Sequence, residues 1–300
     1  MGIGARIAAA QLAGSSRSKR QVVAGPLVGL LHDDEAWYLS AMLAAEPGKP
    51  FDAEEIPWAL ATIRQAFAAE GRWLSAELVE EANPGLAEVL ADNGMTIVSR
   101  PPLLAVEPAD LTLPELPADV TVEVVTTDEA QVEANAVSAD AYDMADAGFA
   151  RHSDPVNGGC VLVRVDGVAA AGASWTAVAD GVTEVAGVGT IHTHRRRGLG
   201  AIATAHATQQ AFELAGATLA WLTPGDDGAD RLYRRLGYAP KATAVHLGDP
   251  AATSPTSADL IWQLAGESLG GLSIGCCAVR PVGEAWTGSC ADDALTHWRT

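Results

Sequence analysis

A mixed α/β fold, with helices packed on the faces of a sheet, is what this chain predicts, and three observations carry it. Residues 120–247 alternate strand-like and helix-like runs in the order β-α-β-β-β-α-β-α-β. Asp166-Gly167 separates two apolar strand-like runs, and Asp-Gly is a strong two-residue hairpin signal. A third strand-like run, Val185 to Ile191, leads through Arg195-Arg196-Arg197-Gly198-Leu199-Gly200 into a helix-like run, Ala201 to Leu214.

Taken in order, Val22–Leu31 predicts a strand, and residues 52–70 a helix with Ile56, Leu60, Ile63 and Phe67 at helical spacing. Trp73–Val79 predicts a strand, and Pro84–Asn93 a helix stopped by Gly94. Pro101, Pro102, Pro108, Pro114 and Pro117 suit an extended linker. Beyond it, Val120–Val125 is a strand and Thr127 to Met144 a helix; Cys160–Val165 and Val168–Ala177 form the hairpin, and Glu184–Ile191 a third strand. Helix 198–214, strand Thr218–Thr223, helix Ala229–Leu236 and strand Ala242–Leu247 complete the series. The expected organisation is a flexible N-terminus (1–20), an N-terminal lobe (21–100), a Pro-rich linker (101–118), a second lobe (119–250) and a disordered or loosely packed tail (251–300). Leu260–Leu264 is the one helical turn expected in that tail.

The composition narrows the functional classes. A 48% hydrophobic share with 19% charged residues supports a substantial core and excludes wholesale disorder. Net charge of −19 and a pI near 4.6 disfavour nucleic acid and anionic membranes as partners, while suiting a cationic amine or simple solubility. Cys160 reads as core filler; Cys276, Cys277 and Cys290 lack zinc-ligand spacing, and no disulfide framework is implied. Residues 1–20 make a poor secretory signal, and Val22–Leu31 is too short to span a bilayer. The reading is a soluble, cytoplasmic protein.

The arginine–glycine turn carries the chemistry. A glycine-rich turn from strand into helix leaves backbone N–H groups pointing outward, the helix dipole adds positive potential there, and the arginines add mobile charge. That makes a receptor for a pyrophosphate. A Rossmann site is excluded, because Gly187-Val188-Gly189-Thr190-Ile191-His192 misses the third glycine, and a P-loop is absent. His192 and His194 alternate as a strand-borne metal pair would, but no third ligand accompanies them, so no metal is expected.

With the second block, Ala229, Leu232, Tyr233, Gly237 and Tyr238, residues 120–247 resemble a GCN5-related N-acetyltransferase (GNAT) domain. Arg195, Gly198 and Gly200 match that family's acetyl-CoA signature. The resemblance implies a GNAT-type mixed, mostly antiparallel sheet flanked by helices. Leu86 to Met95 lines up with Ala229 to Tyr238, each after a strand-like segment, so the N-terminal half reads as a degenerate, partial GNAT-like lobe. That first copy has Leu90 in place of Tyr233 and no arginine–glycine turn upstream; a coincidence of helices ending in glycine is the alternative.

The resemblance also implies roles. Backbone N–H groups from Arg197 through Gly198, Leu199 and Gly200 to Ala201 would hold the pyrophosphate of acetyl-CoA, with charge from Arg195, Arg196 and Arg197. The strand edge Val188-Gly189-Thr190-Ile191 would pair with the pantetheine amide. Glu184 is the candidate base for a primary amine, directly or through water, with an ordinary solvated carboxylate as the alternative. Tyr233 would protonate the departing thiolate. Asp140, Tyr142, Asp143 and Asp146 lie where the acceptor would enter and either steer a cation or form a solvated helix face; Gly225 to Gly228 departs from the family's usual Asn-rich turn. The expected activity is acetyl transfer to a small or peptidic amine by direct attack in a ternary complex. A non-catalytic acyl-CoA sensor or scaffold is the alternative.

Overall fold

The structure, a computed structural model, describes residues 1–17, 19–32, 40–143 and 154–250. The first lobe comprises α1 (Ile3–Ser15), β1 (Arg20–Ala24), β2 (Leu27–Leu31), β3 (Ala41–Ala44), α2 (Ile56–Ala69), β4 (Ser75–Val79), α3 (Leu86–Asp92), β5 (Thr96–Ser99) and β6 (Pro102–Val106). The second comprises β7 (Val120–Val124), α4 (Asp128–Ala141), β8 (Gly158–Val165), β9 (Val168–Thr176), β10 (Val182–Thr190), α5 (Leu199–Glu213), β11 (Leu219–Leu222), α6 (Asp227–Arg235) and β12 (Ala239–Gly248). All strands join one sheet in the order β1-β2-β3-β4-β12-β6-β11-β10-β9-β8-β7, with β5 also on β12. Pairing is antiparallel except for β3 with β4 and β10 with β11.

Local chemistry explains the second lobe's regularity. Asp166 and Gly167 take φ of 49° and 81°, the left-handed pair that a tight hairpin demands. Thr127 caps α4 by accepting from the Ala130 amide, and Asp226 caps α6 by accepting from the Ala229 amide at 2.6 Å. Acids open α6 and Arg234 and Arg235 close it, in accord with the helix dipole.

The first lobe departs from expectation in several places. Residues 1–20 hold helix α1, with Ala5, Ile7 and Ala8 buried against Val79 of β4, Leu103 of β6, Trp221 of β11 and Ala244 of β12. Small residues make that approach possible: a Cβ on Gly4 would lie 3.0 Å from the Glu81 Cβ. Val22–Leu31 is not one strand but a hairpin turning at Gly25-Pro26. The Pro-rich segment is not all linker, because Pro102–Val106 is a strand between β11 and β12 in the middle of the sheet. Its proline occupies the first strand position, where the missing N–H is tolerated, and Leu103 to Val106 are buried. Strands β3 and β5 also went unforeseen. The expected tail 251–300, and Asp146, lie outside the described residues.

Faces follow from alternation. Val161, Val163 and Val165 of β8, Val185 of β10 and Leu222 of β11 pack under α5 with Leu199, Ile202 and Tyr233. Leu162 faces α4 on the reverse side, packed with Val125, Ala134 and Val137. Cys160 packs against that same cluster, and burial pushes its thiol up to about 11, against opposing hydrogen bonds from Ser174 and the Ala173 backbone, so the sulfur stays protonated. In the first lobe Leu60, Ile63 and Phe67 of α2 cover Leu78 of β4 and Val245 and Leu247 of β12.

Strand β12 is the seam. Its first half pairs with β6 and its second half with β4, with His246 opposite Glu77. Asp249, just beyond it and 2% exposed, takes Nε of Arg64 at 2.5 Å, and Arg64 also donates to the Asn93 carbonyl. Arg64→Ala removes this ion pair from a buried carboxylate, so it should lower the free energy of unfolding in urea by about 3 kcal/mol.

Lys19, between α1 and β1, is also at the seam and nearly fully buried. Desolvation pushes its ammonium down from 10.5 to about 8, against the opposing pull of Glu77 and Glu184. A depressed value in the folded state means that the stability contribution is complete above 10.5 and lost as pH falls through 8. The unfolding free energy of the native chain, relative to Lys19→Met, should therefore rise between those two pH values.

Candidate active site

Strands β10 and β11 run parallel only through Val182–Leu219, Thr183–Ala220 and Glu184–Trp221, and then diverge. Glu184 and Trp221 are the last pair, at the vertex of a crevice. Past the vertex β10 carries a bulge, with Gly187 at φ 60° and a register shift against β9 between Ala186 and Gly189. The bulge frees the strand from its regular ladder where the predicted ligand edge begins.

Beyond β10 the chain makes a 3-10 turn, His192–His194, reaches Arg196 at φ 63° and Gly198 at φ 80°, and enters α5. The αL conformation of Gly198 requires the absence of a Cβ, whereas a Cβ on Gly200 would make only ordinary contacts at 3.6 Å with Thr190. Among the described residues the N–H groups of Arg197, Gly198, Leu199 and Gly200 have no acceptor. The Ala201 amide, expected in the same cradle, instead closes the first turn by donating to the Gly198 carbonyl at 3.1 Å.

The arginines divide their work. Arg195 donates to the carbonyls of Ala141, at 2.7 Å, and Thr190, so it ties the end of α4 to the turn. Arg197 pairs with Asp119 at 3.0 Å. Arg196 is exposed and has no partner among the described residues. The edge expected for the pantetheine is partly engaged as well: Tyr142 donates its phenol to the Val188 carbonyl at 2.9 Å, and the Ile191 amide donates to Ala170. Gly189 is needed under α4, since a Cβ there would lie 2.9 Å from the Ala141 Cβ.

His192 and His194 share a turn rather than a strand face. The Asp140 carboxylate takes the His192 amide at 2.7 Å and its ring Nδ1 at 3.1 Å, so it caps this turn instead of lying free on a helix face. Burial opposes ionisation of Asp140, but those two bonds and the charges of His192 and Arg195 hold its carboxyl below the ordinary value.

Tyr233 is buried on α6, among the residues under α5, with its ring centroid 6.2 Å from that of Tyr238. The Tyr238 hydroxyl lies 2.6 Å from Thr208 Oγ1, and burial pushes that phenol well above its usual value. Glu184 is 5% exposed, and its strand neighbours Val182 and Trp221 face α1. Tyr233 and Glu184 therefore lie on opposite faces of the sheet.

The first lobe has a counterpart crevice between β3 and β4, which pair in parallel only at Met42–Ala76. The Gly48 amide donates to the Ala82 carbonyl across it, and the Asn83 amide reaches the carbonyls of Glu46 and Lys49. A cavity of about 520 Å³ beside these bridges is lined by Met1, Lys49, Phe51 and Glu81 among others. At the counterpart helix start stand Asp52, Glu54 and Glu55, carboxylates where the second lobe has arginines.

Sequence reasoning missed Tyr142 on Val188, the carbonyl-binding role of Arg195 and the bridging Asn83. Nothing in the spacing of these residues announces a side chain spent on backbone.

A profile for the acetyltransferase (GNAT) family matches residues 126–238. A GCN5-related N-acetyltransferase from Kribbella flavida is 72% identical, with a TM-score of 0.78 over 84% of this chain and 97% of that one. A tandem GNAT protein from the clavulanic acid biosynthesis pathway, solved without AcCoA, shares the fold at 16% identity and a TM-score of 0.56, over 78% of this chain and 81% of its own. A GCN5-related N-acetyltransferase from Sphaerobacter thermophilus does so at 15% identity and 0.55, over 74% and 76%. No curated protein matches the chain.

Proposed function

The chain belongs to the GCN5-related N-acetyltransferase family, and from that premise we propose that it moves an acetyl group from acetyl-CoA to a primary amine by direct attack within a ternary complex. The observation that carries the reading is the crevice past Glu184 and Trp221, with open amides at the start of α5 on one side and Tyr233 on the other. Acyl-CoA-dependent acetyl transfer is the family's general activity.

The chain's residues fit the ligand. Open N–H groups of Arg197, Gly198, Leu199 and Gly200 at a helix N-terminus match a pyrophosphate, and Arg196 supplies unspent positive charge. Acetyl-CoA, when bound, supplies an activated acyl carbon. A primary amine near pH 7 is protonated, with a pKa of about 10.4, so a group must take its proton before nitrogen can attack. Glu184 is the proposed acceptor of that proton, directly or through water, from the face on which Val182 and Trp221 pack against α1. As the C–N bond forms and the C–S bond breaks, Tyr233 delivers a proton to the leaving sulfur from the opposite face, and the second proton shed by the acetylated nitrogen restores the phenol. The two proton-handling groups thereby stay apart.

The first lobe, with its bridged crevice and acidic helix start, is proposed to bind no acyl-CoA, leaving one site per chain. No helix among the described residues is long and apolar enough to cross a membrane; the proposed setting is the cytoplasm.

Two measurements test the reading. Titration calorimetry with CoA should give one site, and Arg196→Ala should weaken it about tenfold, more so at low salt. Thiol release from acetyl-CoA should then be screened against peptides with free N-termini, lysine peptides, amino acids, polyamines and aminoglycosides. Tight CoA binding with no turnover on any of these would favour a binding module over an enzyme.

A further inference from the structure

We propose that Tyr142, in the turn that ends α4, is a positioning residue for acyl-CoA binding: its phenol fixes the Val188 carbonyl and so sets the orientation of the β10 edge along which the pantetheine would lie. The inference rests on the reading of that edge as part of the acyl-CoA site.

The edge needs a restraint from outside its own ladder. Against β9, Ala186 is partnered by Ser174 and Gly189 by Gly172, so Gly187 and Val188 together stand opposite Ala173 alone. An extra residue of this kind breaks the ladder locally and lets the strand bend. Glycines flank Val188 on both sides, and Gly187 takes φ 60°. With no Cβ on either neighbour, the backbone there has a wide choice of orientations.

The end of α4 supplies the restraint, residue by residue. Asp140 accepts the His192 amide at 2.7 Å. The Ala141 carbonyl accepts Nη2 of Arg195 at 2.7 Å, and the same guanidinium reaches the Thr190 carbonyl through Nε at 3.3 Å. Tyr142 donates to the Val188 carbonyl at 2.9 Å. Its ring packs on Gly189, with Cε2 3.6 Å from where a Cβ would stand. Asp140 and Ala141 thus hold the turn that leads into α5, and Tyr142 holds the bulge. A trans peptide unit is planar, so fixing the Val188 carbonyl also fixes the direction of the Gly189 amide. The phenol acts on the strand, and the strand on the ligand. An edge already held in its binding orientation loses less freedom when the ligand arrives, and the difference appears as affinity.

The test compares the full chain as native protein, Tyr142→Phe and Tyr238→Phe, with acetyl-CoA as the probe in titration calorimetry. Tyr142→Phe keeps the ring on Gly189 and removes the donor, so it should weaken acetyl-CoA about three- to tenfold. Tyr238→Phe gives up a phenol bond to Thr208 instead and should bind as the native chain does. In turnover with the best amine, the KM for acetyl-CoA should rise further in Tyr142→Phe than kcat falls. With carbonyl-13C valine and 15N-glycine labels, the Val188–Gly189 cross-peak, assigned by its loss in Val188→Ile, should move upfield in carbon. An unmoved cross-peak or an unchanged affinity in Tyr142→Phe overturns the proposal. Tighter binding overturns it too, because the phenol would then compete with the ligand for the carbonyl. If that variant does not fold, Tyr142→Met in the same measurements decides. A native chain that binds no acetyl-CoA sinks the acyl-CoA reading along with the proposal, whereas native binding with an unaffected Tyr142→Phe sinks only the role of Tyr142.

Discussion

Acetyl transfer by Tyr233→Phe is expected to fall about 100- to 10,000-fold in kcat, with CoA affinity unchanged. The substitution removes one oxygen from a ring packed under α5 and beside Tyr238, so the fold loses little. It removes the only proton that the proposed mechanism supplies to sulfur. Tyr238→Phe is the internal control: its hydroxyl is committed to Thr208, so losing it should cost about 1 kcal/mol of stability and leave kcat intact. Stopped-assay thiol release with the best amine of the panel measures both. Equal rates for Tyr233→Phe and native protein would place the proton source elsewhere.

Gly237→Ala is expected to cost about 3–5 kcal/mol. Gly237 has φ 98°, and a Cβ there would lie 2.0 Å from the Asp110 carbonyl oxygen, which is backbone and cannot swing aside. The β6–β7 connection that approaches it is itself fixed, since the Thr112 amide donates to the Leu236 carbonyl. A lower midpoint in chemical denaturation, with a matching loss of soluble yield, is the expected reading. The same position closes the block that presents Tyr233, so CoA turnover should suffer with stability. An unchanged midpoint would mean that the segment around Asp110 gives way at no cost.

How much of this was legible differs between the lobes for physical reasons. In the second lobe each strand keeps one face under a helix, so β8 alternates Val161, Val163 and Val165 with Leu162, and the Asp-Gly turn punctuates it. The arginine–glycine turn, the vertex glutamate and the buried tyrosine could be picked out there as residue types. What each arginine bonds to could not be, because Arg195 spends its guanidinium on carbonyls brought close only by α4. In the first lobe, β6 is buried on both faces and begins in Pro-Pro, which gives it the composition of a linker and the position of a central strand. Helix α1 hid for a related reason: it packs through Gly4, Ala5 and Ala8, small residues that carry almost no amphipathic signal. Lys19 gave no sign at all, since one basic residue in a polar turn looks solvated until the seam closes over it.

The placement of β12 between β4 and β6 has a consequence for how the chain comes off the ribosome. Strand β4 is synthesised early, but the strand that pairs with residues 75–79 is the last of the described sheet, Ala244 to Gly248. Throughout elongation the first lobe holds an open, apolar edge of the kind that invites pairing with another chain. Fluorescent reporters on nascent chains stalled before residue 239 should show that lobe aggregation-prone or held by chaperones, and release past 248 should silence the signal.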